Sequence, residues 1–153
     1  MDKEIYLHVS SSDSKVYFPL NNGANFCVKL NTPLELNGSW VVGVCELNIK
    51  NVNLGVNIDK GCSSLGVECN ICTGLVVNGL HTRVLRIIPL DEENVNELYT
   101  LVFYLPVEAR FIDTLQFRVT NGCGEEVTFK LEEKEESLKD IGFVSMTLHL
   151  KRL

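Results

Sequence analysis

Six cysteines and three histidines are the side chains of this sequence best suited to chemistry, so their spacing is the first thing to weigh. Cys69-Asn70-Ile71-Cys72 has the spacing of half a zinc ribbon or of a redox dithiol. A closed zinc site takes four ligands, and neither a second Cys-x-x-Cys nor a His-x-His supplies the others. In a strand, residues three apart also point to opposite faces, which is poor geometry for one ion. Gly122-Cys123-Gly124 would hold a thiol on a tight turn, but a nucleophile needs a base and an orienting group, and none is visible. His8, His81 and His149 fall in different predicted elements, whereas a metal-dependent enzyme of the cupin type needs a His-x-His pair and a carboxylate. There is no Gly-x-Ser-x-Gly elbow, phosphate-binding glycine loop or His-Glu-x-x-His helix. These patterns predict no enzyme, no cofactor and no metal. His149 reads as a surface or interface residue, and the cysteines read as reduced thiols that serve mostly as small core hydrophobes.

The elements that carry these residues are strands. Val144, Met146, Leu148 and Leu150 alternate with Ser145, Thr147 and His149, which puts four apolar side chains on one face of an extended segment. The same period predicts strands at about 5–9, 26–30, 40–49, 65–72, 83–88, 100–105, 112–120, 126–131 and 144–152. Asn21-Asn22-Gly23, Asn37-Gly38, Asn78-Gly79 and Asn121-Gly122-Cys123-Gly124 mark turns between them, the last closing the clearest hairpin. Pro19, Pro33, Pro89 and Pro106 fall at segment edges, where a missing N–H does no harm. The acidic stretch 91–99 predicts one helical turn or a solvated loop, and the charged run 130–140 predicts a long exposed hairpin loop. Eight or nine short strands imply two packed antiparallel sheets, and a jelly roll fits better than an immunoglobulin-like sandwich. Trp40 opens the apolar run 40–45 and is the predicted core anchor. Arg83 and Arg86, three apart, are predicted to face opposite sides of their strand, where a guanidinium suits an interface ion pair.

With 153 residues, 45% of them hydrophobic and 22% charged, the chain fits one globular domain spanning 1–153. A net charge of −6 removes the default electrostatic case for nucleic acid. No apolar run approaches the roughly 20 residues that span a bilayer, so no membrane span is predicted. Met1-Asp2-Lys3-Glu4 is too charged for a signal peptide, which predicts a reducing, cytosolic or nuclear setting.

Several blocks, taken in order, carry a resemblance. They are Tyr17-Phe18-Pro19-Leu20-Asn21-Asn22, Phe26-Cys27-Val28-Lys29-Leu30 and the run 33–47 with Leu36-Asn37-Gly38-Ser39-Trp40. Val67-Glu68-Cys69-Asn70-Ile71, Val84-Leu85-Arg86-Ile87-Ile88-Pro89 and Tyr104-Leu105-Pro106-Val107 follow. Ile112-Asp113-Thr114-Leu115, Gly124-Glu125-Glu126-Val127-Thr128-Phe129 and Thr147-Leu148-His149-Leu150-Lys151-Arg152 complete the series. Together they resemble the minor capsid (penton) proteins of Polinton/Maverick elements and adintoviruses. Val41 stands where that family usually has an acidic residue, Asn48-Ile49 where it has Tyr-Pro, and the stretch 51–64 is short.

The resemblance implies a structural virion protein: a single jelly roll forming a homopentamer at the vertices of an icosahedral capsid, assembled in the host nucleus or cytoplasm. It implies a double-jelly-roll major capsid protein as neighbour and no direct contact with nucleic acid. In a cyclic ring each interface is heterologous, one flank meeting the opposite flank of the next copy. The candidates for that contact are Arg83, Arg86, Lys151 and Arg152 as charged residues and Tyr17, Phe18 and Tyr104 as apolar ones. Two alternatives are a trimeric jelly-roll spike and a glycan-binding module, although seven Phe, four Tyr and one Trp leave little to build a glycan site.

Overall fold

Each strand has one apolar face to hide, and the chain hides them by stacking two antiparallel sheets. The computed structural model describes residues 3–50, 64–77, 79–89, 95–121, 124–127, 131–134, 137–140 and 143–153, with backbone alone for 131–134, 137–140 and Phe143. The strands are β1 (Glu4–Ser10), β2 (Asn25–Glu35), β3 (Trp40–Lys50), β4 (Ser64–Cys69), β5 (Val76–Val77), β6 (Leu80–His81) and β7 (Val84–Pro89). They continue with β8 (Val95–Leu98), β9 (Leu105–Pro106), β10 (Phe111–Asn121), β11 (Leu131–Lys134), β12 (Ser137–Asp140) and β13 (Phe143–Arg152). Sheet A runs β1-β13-β3-β8, with β9 also on β3, and sheet B runs β2-β10-β4-β7. β1, β3 and β13 lie in one sheet and β2, β4 and β10 in the other, so the chain crosses repeatedly between them. That five-plus-four arrangement is a single jelly roll.

The inner faces form one hydrophobic cluster. Val144, Met146, Leu148 and Leu150 of β13 are all fully buried in it. Facing β13, strand β3 buries Val42 and Val44 and then Leu47 and Ile49, one residue out of step. The ladder explains the slip: Thr147 pairs with Glu46 but Leu148 pairs with Val44, so Cys45 is the extra residue of a bulge. From the other sheet, Phe26 and Phe117 stack with ring centroids 5.2 Å apart, both without exposed surface. Trp40 is 4% exposed and its indole N–H donates to the Asn37 carbonyl at 3.0 Å, so its polar tip is satisfied at the end of the core. Gly38 takes φ of 89°, the left-handed conformation that the turn before Trp40 requires.

The structure departs from the sequence pattern in several places. Residues 95–98, expected as a helical turn or loop, form β8 against β3, while 91–94 lie outside the described residues. The stretch 100–105, expected as a strand, contributes only Leu105 and Pro106 to a ladder. Before that it arches over Gly43, whose missing Cβ makes room for Val102, the Phe103 carbonyl and Tyr104. The charged run expected as a loop holds the short hairpin β11–β12, which pairs with itself alone among the described residues. The hairpin expected after β10 begins as drawn, with Thr120 bridged to Glu126 and the Val127 N–H on the Val119 carbonyl. Its continuation through 128–130 lies outside the described residues. Pro33 falls inside β2, not at its edge, but at a break: Lys29 pairs with Thr114 and Leu34 with Ile112, so the residues between are out of the ladder.

Candidate functional site

The Cys-x-x-Cys pair is part of the core. Cys69 ends β4, and Cys72 bridges Val107, and both are buried. Burial pushes each thiol up to about 12, so both stay protonated and inert at neutral pH. Among the described residues no group of three or more His, Cys, Asp or Glu side chains is placed to hold a metal. No helix among them is long and apolar enough to cross a membrane. Cys62 and Cys123 lie outside the described residues.

Polar chemistry gathers instead on the outer face of sheet A. Tyr6 of β1 pairs with His149 of β13, and their rings stack flat, centroids 4.3 Å apart and 3° from parallel. Tyr104 meets the same imidazole edge-on, its hydroxyl 2.7 Å from Nδ1. Lys151 lays its ammonium 3.9 Å from the centre of the Tyr104 ring. The two tyrosines cover His149 so completely that it is 7% exposed on what is nominally the polar face of the strand. Glu4 Oε1 stands 3.4 Å from Nε2, within ion-pair range but without hydrogen-bond geometry. Burial, then the neighbouring Cys45, Tyr6 and Glu4, raise the Tyr104 hydroxyl above its ordinary pKa. Tyr104 and Lys151, both expected at an interface, thus come together here. Arg152 follows at the end of the strand and packs its guanidinium against Gly38.

Two flanks join the sheets. On one, the connection 11–24 ties β13 to β2: the Ser11 N–H donates to the Val144 carbonyl at 2.8 Å, and Ser14 Oγ accepts the Lys29 N–H at 3.0 Å. Its backbone turns carry Tyr17, which is exposed, and Phe18, which is half-buried. Val16 and Leu20 project almost wholly into solvent, 93% and 91% exposed.

On the opposite flank Arg86 of β7 closes the gap between the sheets. Its guanidinium lies 3.7 Å from the Tyr99 ring centroid and 4.4 Å from that of Phe103, and Nη1 donates to the Leu101 carbonyl at 3.0 Å. Around it Leu98, Leu101 and Phe103 are exposed, with Ile87 beside it on β7. Arg83 lies just before β7, donates to the Asn70 carbonyl at 2.8 Å and faces Glu108 at 3.6 Å. A bulge opposite Val67 and Glu68 separates the two arginines, so Arg86 faces inward from the sheet edge and Arg83 lies at the surface. Arg86→Ala is therefore expected to destabilise the fold by about 1–2 kcal/mol through lost stacking. Arg86→Lys should recover less than half, because an ammonium cannot reproduce the planar stack. Urea denaturation of the three proteins tests this, and equal midpoints would refute it.

Tyr17 and Phe18 thus lie on one flank, Arg83 and Arg86 on the other, and Tyr104, Lys151 and Arg152 on the outer face of sheet A and its end, whereas the sequence named them only as interface candidates, without a place. It did not single out Val16, Leu20, Leu98, Leu101 and Phe103, whose signal was available only as apolar residues in segments without alternation.

No protein-family model matches the chain, and no curated protein matches it. Among solved structures it is similar to the mavirus penton protein, with a TM-score of 0.60 at 7% identity, over 98% of this chain and 100% of that one. A chain of the T13 IBDV viral particle aligns at a TM-score of 0.30 and 11% identity, with 99% of this chain on 31% of that one. In fold, then, this chain resembles a viral penton protein along essentially its whole length.

Proposed function

We propose that the chain is a penton-type minor capsid protein of the Polinton/Maverick and adintovirus kind. It forms a homopentamer at the icosahedral vertices and contacts a double-jelly-roll major capsid protein, so its place is the virion. The observation that carries this reading is the likeness to the mavirus penton protein, which extends over 98% of this chain and 100% of that one. The single jelly roll is then the building block of the ring. The flanks fit the role: Val16, Tyr17 and Leu20 on one side and Leu98, Leu101 and Phe103 on the other are exposed apolar groups. A ring presents one such flank to the other at every contact. Tyr104, Lys151 and Arg152, on the outer face of sheet A and its end, remain candidates for the charged rim.

Native mass spectrometry of the reduced protein tests the assembly. Five copies support the vertex reading, three replace it with a trimeric spike, and a monomer sends the measurement to a mixture with the major capsid protein. Leu20→Asp and Leu101→Asp sit at exposed positions, so each should change subunit stability by no more than about 0.5 kcal/mol. Each should nevertheless weaken assembly by tenfold or more on the order of a hot-spot loss. Unaltered pentamers from both variants would remove the flanks from the interface.

A further inference from the structure

The four outer strands of the sandwich are not treated alike. In β2 the outward backbone groups are taken: Asn25 exchanges bonds with Asn22, and Cys27 gives its N–H to Asn21 Oδ1 at 2.9 Å and receives Nδ2 at 2.8 Å. The Lys29 N–H goes to Ser14. This is a covered edge, closed by side chains of the connection that runs beside it.

β1 is bare. The bond from the Arg152 N–H to the Lys3 carbonyl fixes its ladder, so Ile5, Leu7 and Val9 face β13 and Glu4, Tyr6 and His8 direct N–H and C=O away from the sheet. Only the last turn is capped, where Asp13 Oδ2 accepts the Ser10 N–H at 3.1 Å. Tyr6 and His8 have no backbone partner on that side among the described residues. At the far end of the same sheet, the Tyr99 N–H bonds the Cys45 carbonyl, so Val95 and Glu97 face β3 while Asn96 and Leu98 direct their backbone groups outward, again unpaired among the described residues.

Strand direction makes these two edges complementary. Each neighbour in the order β1-β13-β3-β8 is antiparallel to the last, so β8 runs opposite to β1. A second copy turned about an axis along the strands therefore brings its β1 antiparallel to β8, the ladder type of the whole sheet. A register that sets Tyr6 opposite Leu98 also sets His8 opposite Asn96, apolar on apolar and polar on polar, all on the outer face of the sheet.

We propose that the bare β1 edge of one copy pairs with the bare β8 edge of the next, so that sheet A continues from subunit to subunit around the ring. The proposal rests on the vertex reading and adds the backbone contact that sets the register of its interface. The exposed apolar residues of the two flanks then close beside this seam.

The test uses the full chain, with His8→Pro and His8→Ala. Because the His8 N–H points away from β13, proline removes only an outward donor and blocks strand addition, leaving the internal ladder intact. Alanine removes the imidazole and its contact with Thr147 Oγ1 but keeps the N–H. Wild type and His8→Ala should be pentamers, His8→Pro a folded monomer, and the Tyr6 and His8 amides should exchange at least about tenfold slower in the pentamer than in that monomer. A folded His8→Pro that assembles as wild type does overturns the seam. If His8→Pro fails to fold, exchange in the wild-type pentamer decides: fast Tyr6 and His8 amides overturn the seam and leave the vertex reading standing. A wild-type dimer with protected β1 amides means β1 pairs with β1 and overturns both. A wild-type chain that stays monomeric with the major capsid protein also overturns both.

Discussion

Phe117→Ala is expected to cost the subunit about 3–5 kcal/mol, the largest loss for a single side chain here. The ring lies at the centre of β10, has no exposed surface and stacks on Phe26. Truncation removes its transfer free energy and leaves a cavity that two rigid sheets cannot collapse into, because β10 is held on both sides by β2 and β4. Against a total stability of roughly 5–15 kcal/mol, such a loss takes about a fifth or more. Phe111, on the same strand but 59% exposed, is the internal control, and Phe111→Ala should change stability by no more than about 0.5 kcal/mol. Urea denaturation with an unchanged slope reads both, and comparable shifts in midpoint would contradict the placement of the core.

Alkaline pH is expected to destabilise the fold by several kcal/mol between about pH 9 and 12. Cys69 and Cys72 are held up at about 12 by burial, against 9.0 for a free thiol. Below 9 both folded and unfolded chains are protonated and the full stability is present. Above 9 the unfolded chain releases protons that the folded chain keeps, so stability falls until the folded thiols titrate near 12. Each shift is worth on the order of a few kcal/mol. Tyr99 and Tyr104 are raised as well, and act in the same direction. Denaturation at pH 8 and pH 11 measures the loss, and Cys69→Ala with Cys72→Ala should shrink it by more than half. The same loss in the double variant would assign it to other groups.

Alternation of apolar and polar residues made β1, β2, β10 and β13 legible, whereas β3 and β7 were legible as apolar, β-branched runs between turn signals. β8 was not legible. Of its residues only Val95 is buried while the next three are exposed, so an edge strand on a short ladder leaves no period to detect. The arch at 100–104 was missed for a different reason. Its signal lies in β3, at Gly43, and a glycine in a strand says that something approaches without saying what. His149 shows the same limit in the candidate site. Its place on the polar face followed from the pattern, but its burial depends on Tyr6 and Tyr104, which are far away in sequence and meet only when β1 and the arch reach β13. The apolar flanks were invisible because exposure, which defines them, belongs to the fold.

The position of β13 also governs when the chain can fold. Its seven-residue ladder with β1 joins segments more than 130 residues apart, and its other side completes β3. Sheet A thus has no continuous hydrogen-bonded middle until residues 143–152 are available. A nascent chain on a ribosome can assemble sheet B first, through β2, β10, β4 and β7, but must leave the edges of β1 and β3 that face β13 unpaired until synthesis passes β13. Such late closure adds a slow, long-range step to folding, and it ties the completion of sheet A to the synthesis of β13. A shortened product would then lack a formed edge to offer a neighbour.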